Sequence, residues 1–206
     1  MALRFSVEAI KEMNEAFNHS EYTIRKKVLS ILGAKVHIYD SAERLVLYSQ
    51  LKAFKLKEDI SIYTDESMST ELLRIKARHM IDLSATYDVT DSETGELVGA
   101  LRRRGLKSIL KDEWIILGPG DSEIGVIKEE NTFLALLRRL IPFIPQTYLL
   151  EADERECGRF HRNFNPFVTK ILADFSDDAR GRLDRRLGMA AGILLCIIEG
   201  KQETAG

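Results

Sequence analysis

The run LDRRLGMAAGILLCIIEGKQ, residues 183–202, constrains the fold more than any other part of the sequence. No charged or strongly polar side chain lies between Leu187 and Ile198. A helix that is apolar on every face must be surrounded on every face. A membrane span needs roughly 20 apolar residues and this run has only about 12, so it predicts a buried core helix.

The middle of the chain has a different period. Four segments each contain a β-rich run, a short polar turn and a second β-rich run, which is the pattern of hairpins. They are KVHIYD–SAER–LVLYSQ, DISIYTD–ESMST–ELLRIKA, LSATYDVTD–SETG–ELVGALRR and EWIILG–PGDS–EIGVIKE. With the further runs YTIRKKVL, QTYLLEA, CGRFHRN and FVTKILADF, the sequence predicts about twelve strands.

A closed sheet accounts for both patterns. A barrel of about twelve strands has a lumen wider than its own side chains can fill. We therefore predict a mainly β fold, a closed barrel of about twelve strands wrapped around a central hydrophobic C-terminal α-helix. The helix is expected at about residues 180–199, with Ser176, Asp177 or Asp178 as its cap. Gly188 and Gly192 would let neighbouring elements approach the helix axis.

The expected domain organisation is simple. Residues 1–19 are predicted to form a helical extension, residues 20–202 the barrel domain, and residues 203–206 a disordered tail. The two cysteines, Cys157 and Cys196, do not form a disulfide framework, and the first residues lack the apolar core of a secretory signal. We expect a cytoplasmic protein that is not transmembrane and is peripheral at the membrane if it binds lipid.

Two passages of the sequence carry a family likeness. Residues 158–201, GRFHRNFNPFVTKILADFSDDARGRLDRRLGMAAGILLCIIEGK, resemble the end of tubby C-terminal-like domains. Within that superfamily the chain is most similar to the LURP-one-related proteins, with phospholipid scramblases as more distant relatives. Residues 99–116, GALRRRGLKSILKDEWII, resemble the family's basic strand, short linker and Trp-bearing strand. The resemblance implies a twelve-stranded barrel around a central hydrophobic helix.

The same resemblance suggests a class of ligand. Tubby domains bind membrane phosphoinositides through basic side chains on the barrel surface, and scramblases are named for lipid transport. The chain lacks the Pro-rich N-terminal segment, the cysteine cluster and the Asp-rich calcium loop of scramblases. Scramblase-like activity is therefore only a distant alternative.

The first candidate site is the basic run LRRRGLKSILK. On a strand, Arg102 and Arg104 share one face and Arg103 points the other way. Clustered arginines and lysines suit phosphate groups, so this run is our candidate lipid-binding or other anion-binding site. The alternative is a solvated strand edge whose charge prevents edge-to-edge pairing. The residues of this candidate are Arg102, Arg103, Arg104, Lys107 and Lys111.

A second basic group precedes the predicted helix. Cations at a helix N-terminus act against the helix dipole, so this group needs an explanation. Either nearby acidic residues pair with the arginines, or an external anion binds at the barrel mouth. The arginines are Arg180, Arg182, Arg185 and Arg186, and the nearby acidic residues are Asp177, Asp178 and Asp184.

The third candidate is the run TFLALLRRLIPFIPQTYLL, residues 132–150, which combines an apolar stripe with two arginines. It could dip into a membrane or contact a protein partner. Alternatively, it forms a helix that closes one end of the barrel. The side chains in question are Phe133, Leu137, Phe143 and Ile144.

The remaining signals argue against catalysis and nucleic-acid binding. The histidines, at positions 19, 37, 79 and 161, lack metal-ligand spacing, and no catalytic motif or cofactor motif is present. A net charge of −2 gives no field that would recruit nucleic acid. We predict a barrel without enzymatic activity, cofactor or metal, which binds acidic lipid headgroups or another phosphorylated ligand. The alternative is a protein-interaction scaffold, and the oligomeric state is left open.

Overall fold

The structure is a computed structural model of the 206-residue chain. It describes residues 14–28, 33–51, 59–78, 85–104, 113–130, 146–163, 168–178 and 181–198. These ranges form twelve antiparallel strands and one α-helix, α1 (Arg185–Ile198). The strands are β1 (Glu21–Val28), β2 (Ala34–Asp40), β3 (Leu45–Leu51), β4 (Asp59–Tyr63), β5 (Glu71–Ala77), β6 (Thr86–Asp91), β7 (Leu97–Arg103), β8 (Glu113–Leu117), β9 (Glu123–Glu129), β10 (Gln146–Ala152), β11 (Arg155–Asn163) and β12 (Val168–Asp174).

The sheet is a closed meander. Each strand pairs with its neighbours in sequence, and β1 pairs with β12, which completes the barrel. The closing pair runs from Glu21 opposite Asp174 to Lys27 opposite Val168. The four predicted hairpins are confirmed as β2–β3, β4–β5, β6–β7 and β8–β9. Closure leaves no sheet edge along the described strands, which removes the usual route to edge-to-edge aggregation.

The strands form because apolar residues recur at every second position. In β2 and β10 buried residues alternate strictly with half-buried ones along the whole strand. Successive side chains point to opposite faces of a sheet, so this pattern gives the barrel an apolar interior and a polar exterior. Trp114 is one of the largest fully buried side chains of the core.

Helix α1 fills the barrel. All twelve residues from Leu187 to Ile198 are buried, as the absence of polar side chains in this run predicts. The two helix glycines are needed for packing. A Cβ added to Gly188 would lie 2.7 Å from Phe175 Cε1, and one added to Gly192 would lie 2.8 Å from Ile24 Cδ1. The helix therefore fits the lumen because its side chains are apolar and because Gly188 and Gly192 reduce its width where other side chains approach.

The helix begins later than predicted. It starts at Arg185, and its cap is Asp184, whose side chain accepts a hydrogen bond of 2.9 Å from the backbone N–H of Arg186. The predicted cap, Asp178, instead accepts hydrogen bonds from the N–H groups of Arg182 and Leu183 in the preceding turn. Both aspartates bind backbone donors, but Asp178 closes the turn that enters the barrel.

The other end of the helix meets a buried lysine. Lys26 points inward from β1, and its Nζ donates a 3.3 Å hydrogen bond to the carbonyl oxygen of Ile197. A cation is favourable at a helix C-terminus, where unpaired carbonyl groups carry partial negative charge. At the opposite end, Phe17 lies in the core, although the sequence assigns it to the N-terminal extension.

The central position of α1 gives a first prediction. Replacing Leu194 or Ile197 by Asp should abolish cooperative folding, because an unpaired charge inside the barrel costs several kcal/mol. The matched control is Leu97→Asp, since Leu97 is 42% exposed and should tolerate the charge. Thermal unfolding followed by circular dichroism measures both. Cooperative melting of the Leu194→Asp or Ile197→Asp variant would disprove the enclosed position of the helix.

The fit of the helix glycines gives a second prediction. Gly188→Ala should lower the free energy of unfolding by about 1–2 kcal/mol, because overpacking outweighs the higher helix propensity of alanine. The clash partner is Phe175, so the cost should shrink when Gly188→Ala is made in a Phe175→Leu background. Urea unfolding of the four proteins of this cycle gives the coupling energy. An unchanged cost in both backgrounds would contradict the packing explanation.

Candidate functional site

The predicted basic strand is largely neutralised by its neighbours. Arg102 and Arg104 point outward, and each forms an ion pair. Arg102 Nη2 lies 2.6 Å from Glu123 Oε1, and Arg104 Nη1 lies 2.5 Å from Glu113 Oε1. Arg103 is half-buried on the other face, opposite Trp114 in the register of β7 and β8. The predicted alternation is therefore present, but the three arginines do not meet on one face.

The other two members of this candidate site, Lys107 and Lys111, lie outside the described residues. The same holds for the third candidate, which consists of Phe133, Leu137, Phe143 and Ile144. These assignments stay predictions.

Two of the arginines around the start of α1, Arg182 and Arg186, lie next to acidic side chains. Arg186 pairs with Asp184 and with Asp91, in both cases at 2.7 Å, and so ties the helix start to the end of β6. Arg182 lies 3.9 Å from Asp178. Arg185 stacks over the Phe175 ring at 4.2 Å. Of the two explanations left open by the sequence, this geometry favours local pairing for Arg182 and Arg186. Arg180 lies outside the described residues.

A different part of the surface concentrates positive charge. Four cations point outward from the three adjacent strands β12, β1 and β2. Arg25 lies directly opposite Lys170, and Lys27 lies directly opposite Lys35. Opposed side chains on neighbouring strands have their Cβ atoms about 5 Å apart, and like charges in this position are destabilising. We call this surface the cationic face, defined by Arg25, Lys27, Lys35 and Lys170.

Aromatic rings support the cations. His37 is the cross-strand neighbour of Arg25 and lies between two tyrosine rings, stacked on Tyr39 and edge-on to Tyr48. The Arg25 guanidinium lies 5.0 Å above the ring of Tyr39, and the Lys35 ammonium lies 5.9 Å from that of Tyr48. Cation–π contacts of this kind hold the basic side chains against the sheet. The side chain of His37 points to the barrel exterior.

Few carboxylates balance this charge. Glu66 reaches the face from the β4–β5 turn, with its carboxylate 3.4 Å from Lys35 Nζ and 3.1 Å from His37 Nε2. Its hydrogen bonds with His37 and Lys35 lower the pKa of the Glu66 carboxyl, and the hydrogen bond with Glu66 raises the pKa of Lys35. The highly exposed Glu43 lies 3.5 Å from Arg25. Within the described parts of the chain, Lys27 and Lys170 form no ion pair.

Exposed apolar side chains flank the cationic face. Leu172 is 36% exposed and points outward two residues along β12 from Lys170. Met68 is 41% exposed and lies in the same turn as Glu66. Across the described ranges, only one other large hydrophobic side chain is as exposed, that of Leu97.

Sequence reasoning missed the cationic face for a definite reason. The alternation in YTIRKKVL already puts Arg25 and Lys27 on one side of a strand. However, Lys170 becomes their neighbour only because β12 closes the barrel against β1. The available signal was therefore the combination of outward basic residues on the first and last strands of a predicted closed sheet.

Two further observations concern the described residues as a whole. No helix there is long and apolar enough to cross a membrane. No group of three or more histidine, cysteine, aspartate or glutamate side chains there is arranged to hold a metal ion. His161 makes a 3.0 Å hydrogen bond with Thr147 on the barrel exterior.

A closed twelve-stranded antiparallel barrel around a single C-terminal helix is consistent with the tubby-like fold. The chain matches the LURP-one-related family over residues 45–165, which is more than half of its length. The protein is a member of the LURP-one-related family. No curated protein and no solved structure matches the chain. The matched range includes Arg102–Arg104 and Glu66, whereas β1, β2 and β12 lie outside it.

The ion pair of Arg186 is largely buried and that of Arg102 is exposed, and this difference gives a third prediction. Arg186→Met should lower the free energy of unfolding by about 2 kcal/mol, because it leaves the largely buried carboxylate of Asp91 without its cation. Arg102→Met is the control and should cost less than about 1 kcal/mol, since its pair is exposed. Urea unfolding at neutral pH compares the two.

The same pair should show a pH signature. Burial raises the pKa of Asp91, but hydrogen bonds from Thr94 and Arg186 outweigh it, so the pKa lies below its ordinary value. The stability from this group is present above the unfolded-state pKa of about 4 and is lost as the pH falls through the lower folded-state pKa. The cost of Arg186→Met should therefore shrink in acid. A cost that is independent of pH would contradict the ion-pair explanation.

Proposed function

We propose that this LURP-one-related barrel is a non-catalytic module that binds acidic lipid headgroups at a membrane surface through its cationic face. The observation that carries the proposal is the presence of two pairs of directly opposed like charges, Arg25 with Lys170 and Lys27 with Lys35. A bound anion would relieve both repulsions at once. The proposal implies a peripheral location at a cytoplasmic membrane surface.

Phosphate groups fit the chemistry of this surface. Arginine offers a planar fork of donors to phosphate oxygens, and lysine offers a compact positive charge. Adjacent cations on a strand are separated by two residues, about 7 Å, and cations on neighbouring strands by about 5 Å. A layer of lipid headgroups presents negative charges at similar spacings. Several cations can therefore find a phosphate or carboxylate at the same time.

The exposed apolar side chains favour a membrane over a soluble phosphorylated ligand. At a membrane surface, the side chains of Leu172 and Met68 can leave water and enter the boundary between headgroups and acyl chains. A small soluble ligand would leave both side chains in water. A membrane can therefore contact both the basic residues of the cationic face and the two exposed apolar side chains beside it.

The predicted site at Arg102 and Arg104 has weaker support. An anion would have to displace Glu123 and Glu113, which lie closer to their arginines than Glu66 and Glu43 lie to the cationic face. Exposed pairs are weak, so displacement is possible in principle. Displacing the glutamates should nevertheless cost less free energy at the cationic face, whose positive charges are less neutralised.

Sedimentation with lipid vesicles is the fourth prediction and tests the proposal. The protein should bind vesicles that contain phosphatidylserine or phosphoinositide, but not neutral phosphatidylcholine vesicles, and binding should weaken as salt is added. Arg25→Glu combined with Lys170→Glu should lower the affinity by at least roughly tenfold, because each basic residue near an anionic membrane contributes strongly. Circular dichroism verifies that the variants are folded.

The matched control changes the net charge equally at the predicted site. Arg102→Glu combined with Arg104→Glu should lower the affinity by much less than the Arg25→Glu/Lys170→Glu variant. The reverse order would assign binding to the predicted basic strand. If the wild-type protein binds no vesicle even at low salt, the proposal is wrong, and partner capture would then test the alternative of a protein-interaction module.

A further inference from the structure

We infer that Glu66 is a built-in competitor for the cationic face, an intramolecular anion that a ligand must displace. This inference rests on the function proposed above and concerns the control of the same site. The side chain occupies the position that a lipid phosphate would take between Lys35 and His37. Glu66 therefore raises the density of negative charge that a membrane surface must have before the protein binds to it.

The path of the turn that carries Glu66 supports this role. The turn connects β4 to β5, and β3 lies between β4 and β2 in the sheet. Glu66 nevertheless contacts two side chains of β2, so the turn crosses the outer surface of β3. Tyr48 is paired with the outward His37 and is only 1% exposed, although it lies on the barrel exterior. A residue on an outer face is buried only when something covers it.

The turn is held in shape without help from Glu66. Thr64 N–H donates to the Thr70 carbonyl across its base at 3.1 Å. The carboxylate of Asp65 accepts a 2.7 Å hydrogen bond from the Ser67 N–H within the turn. Hydrogen bonds to the Asp65 carboxylate, from the Ser67 side chain first and then from the Ser67 backbone N–H, lower the pKa of Asp65. Asp65 is therefore committed to the turn, and of the two acidic residues in this turn only Glu66 contacts Lys35 and His37.

Glu66 can leave the face at low cost. Its side chain is 53% exposed, and its two contacts are longer than the pairs of Arg102 and Arg104. Rotation about its side-chain bonds frees Lys35 and His37 while the backbone of the turn stays in place. A single carboxylate competes weakly against several phosphates, but effectively against a sparse distribution of anions. Glu66 therefore discriminates between weakly and densely charged surfaces.

The isosteric substitution Glu66→Gln tests this inference and is the fifth prediction. It removes the charge, keeps the shape of the side chain, and should raise the affinity for phosphatidylserine vesicles by about fivefold. The gain should be largest at low phosphatidylserine content, where the wild-type protein binds least. The control is Glu123→Gln, which changes the net charge equally but frees Arg102, outside the cationic face.

The outcomes separate this inference from the proposed function. Tighter binding by Glu66→Gln, with little change for Glu123→Gln, supports a competitor at the cationic face. Measurable and equal binding by wild type and Glu66→Gln overturns the inference but leaves the proposed function intact. An equal gain from both substitutions also overturns it, because only net charge would then matter. Absence of binding by all three proteins overturns both.

Discussion

The rest of the structure depends on the burial of one helix that has no polar face. Helix α1 contributes twelve consecutive buried residues, so no open or two-layered sheet could cover it completely. Only a closed sheet surrounds such a helix, and closure requires that the first and last strands pair. Three other features follow from this enclosure. They are the inward apolar residues of the strands, the two helix glycines that leave room for neighbouring side chains, and the lysine that binds a carbonyl at the helix C-terminus.

Closure also determines the chemistry of the barrel exterior. The helix and the inward side chains are buried, so the described residues vary in charge and exposure mainly on the exterior. The pairing of β12 with β1 brings Lys170 beside Arg25, although 145 positions separate them in the sequence. Positive charge thus accumulates at the seam where the barrel closes, while the arginines of β7 and of the helix start are neutralised by carboxylates.

The fold could be predicted from the sequence because its signals are local and redundant. Each hairpin has its own turn, and the run from Leu187 to Ile198 excludes most alternatives. The helix start was predicted too early because Asp178 and Asp184 are equally good cap residues, and only tertiary contacts decide between them. The candidate site was less predictable. The register of β7, β8 and β9 determines which glutamate pairs with Arg102, and the closure of the barrel brings the cationic face together. No local sequence pattern encodes the register or the closure.

The position of α1 after all twelve strands has a consequence for folding. During synthesis every strand emerges before the element that fills the lumen, so the unfinished sheet exposes apolar side chains and two open edges. The closing contact between β1 and β12 spans most of the sequence, and contacts of such long separation form slowly. The chain therefore exposes apolar surface and open strand edges for longer than a protein whose core forms early. A chain that ended shortly before α1 would lack the element that fills the lumen of its barrel.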